Sequence, residues 1–449
     1  MYETETKKKK IKMLLKIVFP IFITQVAMYL VTFFDIYMTA RYGTDDLAGV
    51  SIGSSFWVPV YIGLAGILMS ITPIVAQLMG GKKRDEVKET LQQGIYLAVM
   101  LAIIVFLFFL FGTDFLLGLM DLEPAVAQVA AGYIFAMSLG LIPLFVYNAM
   151  RSYIDALGST RVSMFISLMA APINIFFNYL FIFGNFGFPE LGGIGAGYAS
   201  AITYWLIMFI AMWIIHTKKP FASFAVFNGW ARLSLSKMKE ISLIGIPIGI
   251  SIFAETSIFS VVTLMMSTYG TITIAAHQIA INFTSLLYML PLSISMGATI
   301  LVGFEVGAKR FRDAKQYSWL SVGTAIGFSF FSACILFFMR EQIAALYSSD
   351  PAVIQLAVQF LVFAALFQLS DAVQAPVQGA LRGYKDVNVT FVMALVSYWV
   401  IGLPVGYLLA NFTEFGAFGF WIGLIAGLTA GAITLSIRLV LIQKKIAAK

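Results

Sequence analysis

Residues 241–271, ISLIGIPIGISIFAETSIFSVVTLMMSTYGT, decide how the rest of the chain is read. The run is apolar and long enough to cross a bilayer, with Pro247 in its first third and one carboxylate, Glu255, near its middle. At 1.5 Å per residue, Glu255 lies roughly 24 Å from Lys239 and roughly 21 Å from Tyr269, which is mid-depth. An acid at the centre of a membrane helix costs about 2.5–3.5 kcal/mol on an insertion scale, so its retention there points to function. The stretch also opens a second copy of the chain's beginning. Pro20 and Pro247 stand at an offset of 227 in sequence number, and Tyr42-Gly43-Thr44 and Tyr269-Gly270-Thr271 stand at the same offset.

Composition agrees with a membrane reading. The 449 residues are 60% hydrophobic and 11% charged, with a mean hydropathy of +0.91, whereas a soluble domain carries about 25% charged residues. The net charge of +7 does not indicate nucleic acid, because the Lys and Arg residues fall between apolar runs instead of forming a basic face. A lone Cys334 excludes a disulfide framework, and with two histidines it leaves little for zinc. Lys7 to Lys10 precede an apolar region too long for a signal peptide, with no small-residue cleavage site after it, so it reads as an uncleaved first span.

Runs of about 20 apolar residues give twelve spans. They lie near 14–40, 47–78, 89–112, 125–149, 162–185, 193–215, 240–268, 273–304, 316–339, 352–376, 387–410 and 417–441. With a cytosolic N-terminus, 27 of the 29 Lys and Arg residues fall in the N-terminal arm, inside loops and C-terminus, leaving only Arg41 and Arg340 outside. That asymmetry predicts both termini in the cytosol. The division expected is an N-terminal lobe at 1–216, a cytosolic interfacial connector at 217–239 carrying Phe221, Phe224, Phe227 and Trp230 among its basic residues, and a C-terminal lobe at 240–449.

The repeat continues at Gly80 and Lys82 against Gly307 and Lys309, and at Glu123-Pro124-Ala125-Val126 against Asp350-Pro351-Ala352-Val353, before an expected slip to 225 at Gly158 and Gly383. Six spans per half return the chain to the same side, so the halves insert alike. The expected fold is therefore all-α and integral to the membrane: twelve transmembrane helices in two six-helix lobes, related by a pseudo-two-fold axis along the membrane normal, with a substrate path between them.

Three acids lie well inside spans: Asp35, Glu255 and Asp371. None has an evident Lys or Arg at its depth, so neutralisation is expected from a proton or a bound cation. Glu305 sits at a span end, where it would cap or snorkel. Asn174 and Asn178 are four apart and share a helical face, and with Asp35 they offer oxygens to a hard cation. Ser200 and Thr203 are weaker candidates. The same groups also suit hydrogen bonding between helices, and spacing leaves both readings open. His277 reads as a hydrogen-bonded interfacial residue. Nine of the 13 prolines fall inside spans and supply bending points. Met28, Phe253, Phe259 and Phe367, with Asp35, are the candidate lining of a cavity that would accept flat cations.

These residues, with FFDIYMTARYG around Asp35, PINIFFNYLF around Asn174 and Asn178, ETSIF, AAHQIAIN and GAFGFWIG, resemble the multidrug and toxic compound extrusion (MATE) family over the whole chain. Acids in both the seventh and tenth spans are similar to its NorM-like branch. The resemblance implies a cation site, for Na+ or H+, at Glu255 and Asp371, a role for Asp35, Asn174 and Asn178 in cation binding, and efflux of amphipathic cationic drugs by alternating access. It implies an antiporter of the plasma membrane, functional as a monomer, without a cofactor and not an enzyme. Phe367 departs from relatives with a tyrosine there and offers no oxygen. The alternative, a lipid-linked saccharide flippase of related architecture, would be expected to have a strongly basic cavity, and a membrane enzyme would need an acid, histidine and nucleophile at motif spacing.

Overall fold

The computed structural model describes residues 4–448. Among them, the first half forms α1 (Lys7–Tyr42), α2 (Thr44–Leu68), α3 (Ile71–Gly80), α4 (Arg84–Gly118), α5 (Pro124–Ser138), α6 (Leu141–Ala156), α7 (Thr160–Phe181) and α8 (Gly193–Thr217). The second half forms α9 (Leu235–Met266), α10 (Thr271–Gly307), α11 (Phe311–Tyr347), α12 (Pro351–Gly383), α13 (Val387–Leu395), a π-helical turn at Val396–Gly402, α14 (Leu403–Phe412) and α15 (Phe418–Ala447). Local chemistry sets the boundaries. Pro124 and Pro351 occupy first-turn positions, where a missing N–H costs nothing, and the Asp350 carboxylate accepts from Ala352 N at 2.9 Å to cap α12.

Among the described residues, and taking α2 with α3 and α13 with α14 as continuous, eleven helical segments are long and apolar enough to cross a membrane, and α5 with α6, bent by 48°, makes the twelfth. The span expected at 125–149 is thus two rods. The break falls at Leu139 and Gly140, where a Cβ on Gly140 would stand 2.8 Å from Ala201 Cα of α8. Its counterpart α12 runs unbroken through the equivalent position.

The repeat is more regular in the backbone than in the side chains. After α3 the N–H groups of Gly81, Lys82 and Lys83 bond to Gln77, Met79 and Leu78, and after α10 those of Ala308, Lys309 and Arg310 bond to Phe304, Val306 and Glu305. After α6, Leu157, Gly158 and Ser159 bond to Tyr153, Asp155 and Ile154, and after α12, Tyr384, Lys385 and Asp386 bond to Ala380, Arg382 and Leu381. Both pairs of turns keep the offset that separates Pro20 from Pro247. The slip to 225 expected at Gly158 is therefore corrected: its mate is Lys385, and both residues take left-handed backbone, at φ 79° and 59°. The matched glycine misled because a lysine fills the second copy of that turn. The offset changes only in the loop before α8 and α15, which start at Gly193 and Phe418.

The chain forms two compact units, Phe19–Gly249 and Met1–Val18 with Ile250–Lys449, so α1 and α9 each contribute to both. Within the first unit the connector is held, not slack. Gln92 Nε2 donates to Val226 O (2.6 Å) and Gly229 O (3.1 Å) while its Oε1 accepts from Ala231 N (3.1 Å), and Gln93 bridges Arg232 O (2.8 Å) and Ser234 N (3.0 Å). In the second unit, buried Lys10 pairs with Asp313 at 2.8 Å and donates to Thr4 O. Glu305 is also buried, pairing with Arg310 instead of snorkelling.

Candidate functional site

In the first unit, Asp35 of α1 meets α7 and α8. Asn178 Nδ2 donates to Asp35 Oδ1 at 2.8 Å, Ser200 Oγ donates to Oδ2 at 2.8 Å, and Asn174 joins both neighbours, accepting from Asn178 Nδ2 at 3.0 Å and donating to Ser200 Oγ at 3.2 Å. Asp35, Asn174 and Asn178 are thus brought together, with Ser200 as a full member. Thr203 turns back to Ala199 O instead. Each carboxylate oxygen has a neutral donor, and Asn178 Oδ1 is buried without a partner. Such a knot ties three helices, and it leaves an acceptor free for a cation.

The second unit holds the other two acids. Glu255 of α9 accepts from Gln378 Nε2 of α12 at 2.8 Å, and Asp371, 7% exposed on α12, lies within its electrostatic reach. Asp371, Gln374, Gln378 and Arg382 are spaced i, i+3, i+7 and i+11, which puts them on one helical face, and all four are buried. Tyr398 OH accepts from Gln374 Nε2 at 3.3 Å, whereas Gln374 Oε1, buried, has no partner. Tyr288 of α10 completes the surround, within reach of both acids. The face is rich in oxygen acceptors, the donor set a hard cation needs.

The wall opposite is shaped by glycine. Gly419, Gly423, Gly427 and Gly431 recur every four residues along α15, and a Cβ on Gly423 would stand 2.4 Å from Gly406 Cα, one on Gly427 2.6 Å from Ser397 O, and one on Gly431 2.8 Å from Gln374 Oε1. This stripe lets the backbone of the π turn approach closely. Pro404, lacking an N–H, cannot bond back to Val400 O, and the ladder widens just before it. The widened turn presents Tyr398 to Gln374 and Trp399 to α9, whose Ala254 O accepts from Trp399 Nε1 at 3.1 Å.

The candidate cavity residues are not gathered in this way. Phe367 is core, 3% exposed, with its ring edge-to-face with Phe259 at 5.8 Å and against Trp421 at 6.3 Å. Phe253 is exposed, and Met28 of the first unit is half-buried. His277 is hydrogen-bonded and fully buried in the protein, with Nε2 2.9 Å from Thr263 Oγ1. An open pocket of 570 Å³ against α1 and α7 is lined by Met38, Ala171, Pro172, Ile175, Phe176 and Tyr179 and includes none of the acids.

The MatE family model matches residues 20–180 and again 247–408, two copies that begin at Pro20 and Pro247. The chain belongs to the MatE family. It is 55% identical over its full length, and 99% of the relative's, to the "Probable multidrug resistance protein NorM" of Bacillus subtilis (strain 168). It is 56% identical over 99% of its length to the like-named Bacillus licheniformis protein, covering 98% of that one. A solved structure, "Outward-facing conformation of a multidrug resistance MATE family transporter of the MOP superfamily", superposes over all of both chains with a TM-score of 0.87 at 15% identity. This MatE protein is accordingly a NorM-like multidrug efflux transporter, multi-pass in the cell membrane.

Sequence reasoning missed Gln374, Gln378, Tyr398 and Arg382 of this MatE chain. The polar stripe on α12 was available as a spacing signal. Arg382, near a span end, reads in the sequence as a marker of the membrane surface; it is 6% exposed and within electrostatic reach of Glu255, without an ion pair to it. Arg151 lies inside α6, pairing with Asp155 at 3.6 Å and donating to Gln25 Oε1 at 3.1 Å.

Proposed function

We propose that this transporter is a cation-coupled antiporter, expelling amphipathic cationic compounds by alternating access, and that Glu255 and Asp371 bind the coupling ion. The observation that carries the proposal is that Glu255 of α9 is held by Gln378 on the same face of α12 that carries buried Asp371 and the unpartnered Gln374 Oε1, with the two acids within electrostatic reach of each other. Among the described residues no Lys or Arg makes an ion pair with either acid. Two carboxylates and an amide oxygen favour Na+ over H+, since a hard cation needs several oxygens and a proton needs one. Asp35 with Asn174 and Asn178 forms a separate site in the first half, reserved for substrate or a second cation. Both termini face the cytosol, and the transporter works as a monomer.

Cation binding at the second-half acids would favour the state that releases drug, which requires different cation affinities in the two states. Dye efflux from everted vesicles under imposed Na+ or pH gradients tests this. Na+-driven efflux abolished by Glu255→Gln and by Asp371→Asn is expected. Efflux driven equally well by a pH gradient with Na+ rigorously absent would overturn the choice of Na+, and efflux indifferent to both gradients would overturn coupling itself.

A further inference from the structure

Arg382 ends the polar stripe of α12, and its charge has no partner in contact. Its guanidinium has five donors, yet among the described residues it makes neither an ion pair nor a side-chain hydrogen bond, while the residue is only 6% exposed. The other charged residues around α12 are already committed: Glu305 to Arg310, Asp313 to Lys10 and Asp386 to Arg438 at 2.7 Å. Glu255 is the remaining anion within its reach. Gln378, one turn before Arg382 on the same face, already touches Glu255 Oε1 at 2.8 Å. One turn is about 6 Å of rise, and side chains lean toward the N-terminus of their helix, which sends the arginine from 382 toward 378 and Glu255. Glu255 Oε2 has acceptor capacity to spare.

We propose that Arg382 is a tethered counter-cation for Glu255: when the coupling ion leaves, the guanidinium swings onto the carboxylate in its place, and when the ion arrives it is displaced. The inference rests on the antiporter reading above and adds to it a means of release. A carboxylate pair that binds a cation tightly would hold it, whereas a built-in competitor lowers the affinity and keeps Glu255 from being left as an uncompensated charge. Arg382 acts through Glu255 and is a positioning residue. Its mate in the first half, at the offset of the repeat, is Asp155, so duplication did not supply this charge.

The test uses full-length protein in nanodiscs: wild type, Arg382→Gln, Arg382→Met, Arg382→Lys, Glu255→Gln and the double variant Glu255→Gln/Arg382→Gln. Binding of radioactive Na+ and uptake of protons, followed with a pH-indicator dye, are measured on the monodisperse fraction of each. Either neutral variant at 382 is expected to raise affinity for the cation that wild type takes up by about tenfold, or ~1.4 kcal/mol. In reconstituted efflux the same variants lower both the KM for the cation and the maximal rate, because the ion is no longer displaced. Arg382→Lys stays close to wild type, and the gain vanishes without Glu255. Unchanged or weakened affinity in both neutral variants, or a gain that persists in the double variant, overturns the proposal. Undiminished cation binding in Glu255→Gln alone sinks the antiporter reading instead, and no uptake of either cation by wild type sinks both.

Discussion

Replacing Gly423 by alanine adds one methyl group where α15 packs directly on the backbone of α14 and the π turn. Its Cβ would lie 2.4 Å from both Cα and N of Gly406 and 2.6 Å from Gly402 O. Carbon atoms pack at about 3.5–4 Å, so α15 and the π turn must part by about 1 Å. The obstructing atoms are backbone, and no rotamer change relieves them. Overpacking of this kind costs about 1–3 kcal/mol, a fall of roughly 2–6 °C in melting temperature. The same displacement carries Tyr398 away from Gln374 and Trp399 away from Ala254, on either side of Glu255. Dye efflux should therefore drop by more than the loss of folded protein explains. Gly323→Ala on α11 is the control, because nothing stands within 4 Å of its added Cβ, and removing a helical glycine gains about 0.5–1 kcal/mol. Melting and efflux measured side by side decide the matter. A Gly423→Ala protein as stable as wild type would refute the reasoning that glycine is needed for close approach there.

Three further outcomes follow from the geometry. Glu255→Gln and Asp371→Asn should each abolish gradient-driven efflux in everted vesicles with non-additive losses, as for residues acting as a unit; intact efflux in both, with loss in Asp35→Asn, would move the coupling site to the first half. Asp155→Ala leaves the largely buried Arg151 guanidinium and the Ser163 hydroxyl without their shared carboxylate and should destabilise by about 3–5 kcal/mol, while the double change Arg151→Met/Asp155→Leu recovers most of it; thermal melting of the three proteins reads this. Removing the two glutamine side chains that bridge the connector, in Gln92→Ala/Gln93→Ala, should open 226–234 to limited proteolysis at unchanged global melting temperature, and a wild-type cleavage pattern would contradict the clasp.

Hydropathy and charge made much of this architecture legible. The span count, the repeat that starts at Pro20 and Pro247, and the three intramembrane acids all followed from one-dimensional patterns, because lipid imposes length and apolarity on every crossing segment. What stayed hidden depends on direction. A glycine at 140 gives no sign that α8 will press against it, and Pro404 marks a bend without saying that the ladder widens into a π turn. Arg382, one residue from the end of α12, looks in the sequence like a surface anchor, and only the packing around α12 shows that it is buried in the protein. The grouping of Asp35 with Asn174 and Asn178 is suggested by the spacing of the two amides, yet Ser200 enters only once α8 lies beside them.

The backbone repeat also shows how two similar halves acquire different chemistry. Arg151 and Gln378 are mates at the offset of the repeat, and each donates to a side-chain oxygen on the first helix of its half: Arg151 to Gln25 at 3.1 Å, Gln378 to Glu255 at 2.8 Å. The contact is kept and the charge changes sides. In the first half the donor is the ion and the acceptor neutral, and Asp155, one turn on, balances the donor within its own helix. In the second half the acceptor is the ion and the donor neutral, and the residue one turn on is Arg382, whose sign is reversed along with the rest. The first arrangement is closed, since every charge has a partner in contact. The second is left open, since Glu255 and Arg382 remain apart and Asp371 stands near without a counter-ion. An open anionic arrangement at mid-depth is what a mobile cation can enter and leave, so the asymmetry between halves is where coupling should reside.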